Sequence, residues 1–216
     1  MKDAINKNEL PIILIGGGGH CKSVIEAAES SGRTIRGVFD IPSAVGSKIL
    51  GYDVIGTDDD ITLYVNDCEF VVTLGNIKDP HKRILLHNLV EKQGGKFATI
   101  IASTAQVSTH AAVGDGTVVL HHATINAGAK VGKGCIINSC SNVEHDVEIG
   151  DYCHISTGTM INGDAKIGRA TFVGSGATVG NGVSIKENSV VGMGAAVCSD
   201  ITESGIYVGI PAKKIG

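Results

Sequence analysis

From Ile101 onward the chain returns to the same kind of residue at every sixth position. Ile101, Val107, Val113, Val119, Ile125, Val131, Ile137, Val143, Ile149, Ile155, Ile161, Ile167, Val173, Val179, Ile185, Val191 and Val197 are all Ile or Val. Glycine follows directly at 114, 132, 150, 168, 174, 180 and 192. This is the hexapeptide repeat of a parallel β-helix. Each hexad predicts one short flat strand and a tight corner. The β-branched residue points inward, and the small residue after it is expected to allow the turn. Three hexads close one triangular coil, and coils stack at the strand spacing of about 4.8 Å. A coil buries its surface only against its neighbours, so the repeat reads as one solenoid of roughly five coils. The pattern runs without a break, so no long loop is inserted in it.

The first part of the chain lacks this period. "PIILIGGGG" is an apolar run followed by a glycine turn, and "HCKSVIEAAESSGR" reads as an amphipathic helix closed by Gly32. "TIRGVFD" predicts a second strand ending in Asp40, and "EFVVTLGN" a third. "DPHKRILLHNLVEKQGG" predicts a second helix, with Asp79 as N-cap, Pro80 at the first helical position and Gly94–Gly95 as the stop. Alternating strands and helices argue for a small Rossmann-like parallel α/β sheet. The expected organisation is residues 1–98 as this domain and 99–216 as the β-helix, with the boundary near 97–103.

Composition narrows the function. With 43% hydrophobic residues the chain can bury a core, and 30 glycines with no tryptophan fit many tight turns. Net charge is −4 with no block of Lys and Arg, so a nucleic-acid footprint is not expected. "MKDAINKNEL" does not read as a signal peptide, and no apolar run reaches the roughly 18–20 residues of a membrane span. A cytoplasmic protein with no membrane partner is the expectation. The six cysteines show no CxxC spacing and read as reduced wall or core residues.

Three features carry chemistry. "GGGGH" lies between a strand and a helix, where a phosphate can meet backbone N–H groups and the positive helix end. Gly16 and Gly18 fit the dinucleotide fingerprint, but the third place is Cys21, so a structural glycine turn and a nucleotide site both stay open. Asp40 ends the next strand, where an acidic residue often accepts ribose or base hydrogen bonds. The second feature is His145 with Asp146, two residues after the inward Val143 and near a corner. Its neighbours one coil away are Ala127 and Gly163, small residues that leave a recess. A histidine there suits a general base, because its ordinary pKa of about 6.5 lies near working pH. A carboxylate beside it fixes the tautomer and stabilises the imidazolium. Alternate residues of an ideal strand face apart, so the pair can meet only if the corner turns. The third is a cluster of histidines. His110 and His145 stand 35 residues apart, as in the γ-class carbonic anhydrases, but Gly150 occupies the place of the third ligand, so no metal is expected. "TDDDIT" reads as a solvated helix start.

Both halves together resemble the bacterial sialic-acid O-acetyltransferase and sugar N-acetyltransferase family of hexapeptide proteins. The resemblance covers nearly the whole chain through "IGGGGH", "LGN" at 74–76, "VEHDVEIGDYCHISTG" at 143–158 and "GIYVGIPAKKI" at 205–215. It implies a left-handed solenoid, acetyl-CoA as co-substrate, a homotrimer, and transfer to the 4-amino group of a nucleotide-linked amino-deoxy sugar. It makes His145 the general base and Asp146 the residue that raises its basicity, where many relatives have Glu. His154, Ser175 and Met193 match acetyl-CoA contacts, and Gly163 matches the residue whose N–H holds the acetyl oxygen. Gly18, Gly19, His20, Asp40 and Gly75 match positions lining the sugar-nucleotide pocket. Ile41 stands where relatives often have a second acid, so the base (uracil, thymine or guanine) stays open. Three other readings remain: O-acetylation of a sialic acid or other sugar hydroxyl, a nucleotide-sensing scaffold with an inactive solenoid, and a metal hydratase. A covalent cysteine route is not expected.

Overall fold

A computed structural model describes residues 9–75, 77 and 79–215. Most of "MKDAINKNEL" and Asn76 of the "LGN" motif lie outside the described residues.

The first part is a sheet with helices. In chain order it contains β1 (Ile12–Ile15), α1 (Gly19–Ser30), β2 (Ile35–Phe39), β3 (Lys48–Ile49), β4 (Tyr52–Gly56), β5 (Glu69–Val72), α2 (His81–Lys92) and β6 (Lys96–Phe97). The strand order is β3-β4-β2-β1-β5-β6. All neighbours run parallel except the β3–β4 hairpin. Central β1 is sealed on both faces, which is why "IILI" reads as a continuous apolar run. The sequence reading found β1, β2, β5 and both helices, but not the β3–β4 hairpin. It also took "KFATII" as a lead into the solenoid. In the structure Lys96–Phe97 completes the sheet, and Ile100–Ile101 forms the first solenoid strand.

The helix signals hold with small shifts. α2 starts one residue later than expected, with Pro80 as N-cap, while the Asp79 carboxylate still accepts the His81 N–H at 2.8 Å. "TDDDIT" is a 3₁₀ helix, Asp58–Leu63, opened by a reciprocal capping box between Thr57 and Asp60.

From Ile100 the chain winds as two-residue strands, each pairing in parallel with the strand eighteen residues on. Val118 opposes Ile136, Thr124 opposes Asn142, and Lys130 opposes Glu148. Three flat sheets result. The first face carries Ile100, Val118, Ile136, His154, Phe172 and Val190 outward, and is extended by the hairpin of Ile206–Val208 and Lys213–Ile215. The second carries Gln106, Thr124, Asn142, Met160, Thr178 and Ala196. The third carries Ala112, Lys130, Glu148, Lys166 and Ser184.

The periodic Ile and Val residues fill the prism from Val119 onward. A second inward position, four residues after each, takes small residues such as Ala129, Cys135, Thr159 and Ala177. Where these are polar they donate to nearby backbone carbonyls: Thr117 to Gly132 at 2.8 Å, Thr159 to Ser156 at 2.7 Å, Cys153 to Gly168 at 3.1 Å. That satisfies the buried hydroxyls and thiols. All six cysteines are free; Cys21, Cys68, Cys135 and Cys153 are buried, but Cys140 and Cys198 are exposed.

The turn chemistry corrects the sequence reading. The corner is made three residues after the inward one, in the left-handed region: His122, Asp146 and Tyr152 each have φ 60°, and Gly134 has φ 61°. The glycines directly after the inward residue do not turn the chain. They permit close stacking: a Cβ on Gly150 would lie 2.7 Å from the Arg169 nitrogen, and one on Gly174 2.6 Å from the Met193 nitrogen.

The two parts share a core. Val24 and Ala28 of α1 belong to one cluster with Ile100, Val118, Leu120 and Ile136 of the first face. His87 of α2 packs on Phe97 and against the edge of Tyr152, with ring centroids 4.5 and 5.2 Å apart. Lys133 pairs with Glu91 at 2.8 Å. The outward residues Ile100, Val118 and Ile136 of the first face are buried in the cluster that includes α1. Ile155 is fully sealed inside the prism. Ile155→Ala should therefore lower unfolding free energy by about 2–5 kcal/mol, read from denaturant titration, with secondary structure retained.

Candidate active site

The four glycines after β1 divide by role. Gly16 has φ 104°, and a Cβ there would meet Leu74 at 2.6 Å. A Cβ on Gly17 would run into Asp40 and Ile49. These two make the turn. Gly18 and Gly19 have open space where a side chain would sit. They border a cleft of about 660 Å³ with His20, Thr73, Gly75, Asn138, His154 and Thr157. Gly18 is the N-cap of α1, so the open glycine backbone lies at a helix N-terminus. The turn is thus both structural and open to a ligand.

Asp40 serves the turn first. It accepts the Gly17 N–H at 3.1 Å and the Ile41 N–H at 2.8 Å. It borders a smaller adjoining pocket of about 220 Å³ with Thr57, Asp58 and Lys82. Leu74 borders both pockets. The expected substrate residues therefore fall into two groups: Gly18, Gly19, His20 and Gly75 in the larger cleft, Asp40 in the smaller.

The cleft joins the α/β sheet to the first face. The rings of His20 and His154 lie 6.4 Å apart, and His154 meets the edge of Phe172 at 5.1 Å. Asn138 turns its oxygen to the Ser139 N–H at 2.8 Å, so its amide N–H₂ faces His154 Nε2 at 3.2 Å and that nitrogen accepts. Burial, then the neighbouring His154 and Arg83, push the pKa of His20 down to about 3. His20 is neutral at physiological pH.

Ser139, Thr157, Ser175 and Met193 stand at eighteen-residue steps along the corner between the first and second faces. Ser139 and Thr157 border the cleft. Ser175 shares a hydrogen bond with Ser156 at 2.9 Å, and Met193 is 84% exposed. Of the four expected cofactor residues, Ser175 and Met193 share this corner column, His154 stands on the adjoining first face, and Gly163 lies apart at His145.

His145 is elsewhere. It occupies the corner between the second and third faces, with its side chain 58% exposed. The left-handed backbone at Asp146 turns the corner, and His145 Nδ1 meets the Asp146 carboxylate at 3.0 Å. That hydrogen bond raises the His145 pKa above its ordinary 6.5. The ring lies over Gly163, where a Cβ would stand 2.7 Å from both Cε1 and Nε2. The Gly163 N–H has no hydrogen-bond partner among the described residues; the coil-to-coil ladder uses the N–H groups of Asn162 and Asp164 on either side. Within one protomer, then, the structure unites His145, Asp146 and Gly163, and separately unites the cleft residues. The second face lies between the two groups.

Comparison with known proteins decides the family. The PglD N-terminal domain family matches residues 11–84, and the bacterial transferase hexapeptide family (six repeats) matches residues 128–163. No curated protein matches. PerB from Caulobacter crescentus, solved with CoA and GDP-perosamine, is 31% identical with a TM-score of 0.88, covering 99% of each chain. The chain belongs to the hexapeptide-repeat nucleotide-sugar acetyltransferases. The acetyltransferase domain of PglB from Neisseria gonorrhoeae FA1090 is 29% identical with a TM-score of 0.89, covering 96% of this chain and 100% of that one. WeeI from Acinetobacter baumannii AYE, 23% identical with a TM-score of 0.79, shares the fold over 95% of this chain and 99% of that one. The solenoid of this acetyltransferase is a left-handed β-helix. No helix of the described residues is long and apolar enough to cross a membrane.

Sequence reasoning missed Asn138 and Thr157, although Thr157 could be reached by counting eighteen residues back from Ser175 along the coil column. It read Asp58 only as part of a solvated helix start, and it passed over Arg83 and Lys82 because no local pattern marks them. Gly163→Ala should displace the His145 ring and lower kcat about tenfold or more. The melting temperature should stay near that of the native protein, because the substitution opens no cavity in the core.

Proposed function

We propose that this acetyltransferase moves the acetyl group of acetyl-CoA to the 4-amino group of a nucleotide-linked amino-deoxy sugar, by direct transfer with His145 as general base. The observation that carries this reading is the His145–Asp146 pair, 3.0 Å apart on a solvent-facing corner with the ring on Gly163. PerB, the 31%-identical relative, was solved with CoA and GDP-perosamine, a nucleotide-linked sugar.

In the proposed reaction the neutral sugar amine attacks the thioester carbonyl carbon. A C–N bond forms, and His145 Nε2 takes a proton from the amine. The C–S bond then breaks, and the imidazolium returns that proton to the leaving CoA sulfur. The products are the amide and free CoA. Asp146 holds the proton on Nδ1 and stabilises the imidazolium. The Gly163 N–H faces the developing oxyanion, a role that can contribute about 10²–10³-fold. Gly18 and Gly19 take the diphosphate with backbone N–H groups. Asp40 lies toward the nucleoside. His154, Ser175 and Met193 contact acetyl-CoA.

We further propose that the working unit is a homotrimer. His145 stands one corner away from the cleft holding His154 and the glycine turn, and a neighbouring prism supplies the histidine that each cleft lacks. A shared site has a clear signature. His145→Ala and Gly18→Val chains should each be inactive at substrate concentrations that suffice for the native protein. Co-expressed, they should regain up to about a quarter of the sites, because random assembly pairs an intact cleft with an intact histidine that often. No recovery would place the whole site within one chain.

The reaction is tested by CoA release from acetyl-CoA with UDP-, dTDP- and GDP-linked 4-amino sugars and with free sialic acid. One nucleotide sugar should turn over, and His145→Ala should lose about 10²–10⁴-fold in rate. A base must be neutral to act, and Asp146 raises the His145 pKa, so kcat/KM should rise with pH through a value above 6.5. In Asp146→Asn that limb should move to more acidic pH and the plateau should fall. A preference for sialic acid would make the protein an O-acetyltransferase.

A further inference from the structure

The smaller pocket beside the glycine turn holds polar groups that the proposed reaction does not use. It lies at the carboxyl ends of three adjacent strands. Ile15 ends β1, Asp40 follows β2 and Thr57 follows β4, and these strands stand in the order β4-β2-β1. Ligands of parallel α/β sheets lie outside such strand ends. A diphosphate held at Gly18 and Gly19 therefore sends its nucleoside across β2 toward β4, into this pocket. Buried Ile15 and Leu86, with Leu74, give the pocket an apolar lining. Ile41 and Pro42 border it as well, and Ile41 is 57% exposed, which leaves apolar surface for a ligand to cover. An apolar lining with a few polar groups suits a heteroaromatic ring.

Not every polar group there is free to read that ring. Both Asp40 oxygens already accept backbone N–H groups, from Gly17 and Ile41. Asp60 is held in the capping box with Thr57. Asp59 is exposed at the rim. Two side chains remain inside the wall of a space of only about 220 Å³: Asp58, which is half-buried, and Lys82, in the first turn of α2. Neither makes a side-chain hydrogen bond or ion pair among the described residues. A carboxylate only accepts hydrogen bonds, and an ammonium only donates them. The pocket thus offers a pair of acceptor oxygens and a separate donor to one small ligand.

We infer that this pocket selects a guanine nucleotide: the two Asp58 oxygens accept the neighbouring N1–H and N2–H₂ groups of the base, and Lys82 Nζ donates to its O6. This rests on the reading of the cleft as the nucleotide-sugar site with the diphosphate on the glycine turn. Uracil and thymine place a single N–H between two carbonyl oxygens. A carboxylate that takes that N–H turns its second oxygen onto a carbonyl, and two acceptors then face each other. Adenine and cytosine each set one amino group beside an acceptor nitrogen, with the same conflict. Guanine alone among these bases presents two adjacent donors next to an acceptor. The choice of base follows from the mismatches as much as from the match.

The test is a calorimetric comparison of GDP, IDP, UDP and dTDP as ligands. IDP differs from GDP only in lacking the 2-amino group, so that pair isolates one of the two Asp58 contacts without any mutation. The native protein should bind GDP about tenfold to a hundredfold more tightly than UDP or dTDP, the worth of one bidentate base contact, and several-fold more tightly than IDP. Asp58→Asn should bring GDP and IDP together and remove most of the preference over UDP. Lys82→Met should weaken GDP and IDP alike and leave their ratio unchanged. Tighter binding of UDP or dTDP than of GDP, or equal binding of GDP and IDP by the native protein, would overturn the assignment. So would an Asp58→Asn variant of native melting temperature that keeps the native GDP-to-IDP ratio. Those results leave the nucleotide site standing. Binding of none of the four nucleotides would instead sink the reading of the cleft itself, and this inference with it.

Discussion

Everything in this molecule depends on the vertical stacking of β-branched side chains inside the prism. Each coil is too short to hold a core, so Ile137, Ile155 and Val173 are buried only because a coil lies above and below each of them. That stacking fixes a spacing of about 4.8 Å. The spacing in turn decides what can stand at the corners. It demands glycine where backbones nearly touch, as at Gly150 and Gly174, and it seats the His145 ring on Gly163. The proposed base is positioned by the same ladder that makes the fold stable.

The faces of the prism then divide the labour. The first face is apolar where α1 rests on it and changes to His154 beyond that contact. The α/β sheet contributes the glycine turn, the solenoid contributes the wall, and the cleft exists only where the two meet. The His145–Asp146 pair stays out on a second corner, exposed on the protein surface. An arrangement of this kind ties proposed catalysis to assembly: one protomer holds each half of the site, but not facing each other.

Arg83 shows the opposite economy. Its guanidinium is buried in α2 with no hydrogen-bond partner among the described residues. His20 Nε2 and His87 Nε2 are likewise buried without a hydrogen-bond partner among the described residues.

The sequence by itself determined the solenoid, its length, the order of the two parts, and the identities of His145, Asp146 and Gly163 as neighbours, because a period of six and a coil of eighteen are arithmetic that any reader of the chain can perform. It also marked β1, β2, β5 and both helices through apolar runs and end signals. It left the β3–β4 hairpin unread, since a two-residue strand paired to Tyr52–Gly56 carries too little pattern. It misplaced the turn, assigning it to the glycine after the inward residue, because a close approach between coils and a positive φ both favour glycine and look alike in sequence. Only the tertiary structure decided that Asp146 takes the left-handed conformation that lets it meet His145, that Gly18 and Gly19 rather than Gly16 and Gly17 face the ligand space, and that Arg83 is buried without a partner among the described residues. Those facts depend on contacts between residues far apart in the chain, and no local run of residues encodes them.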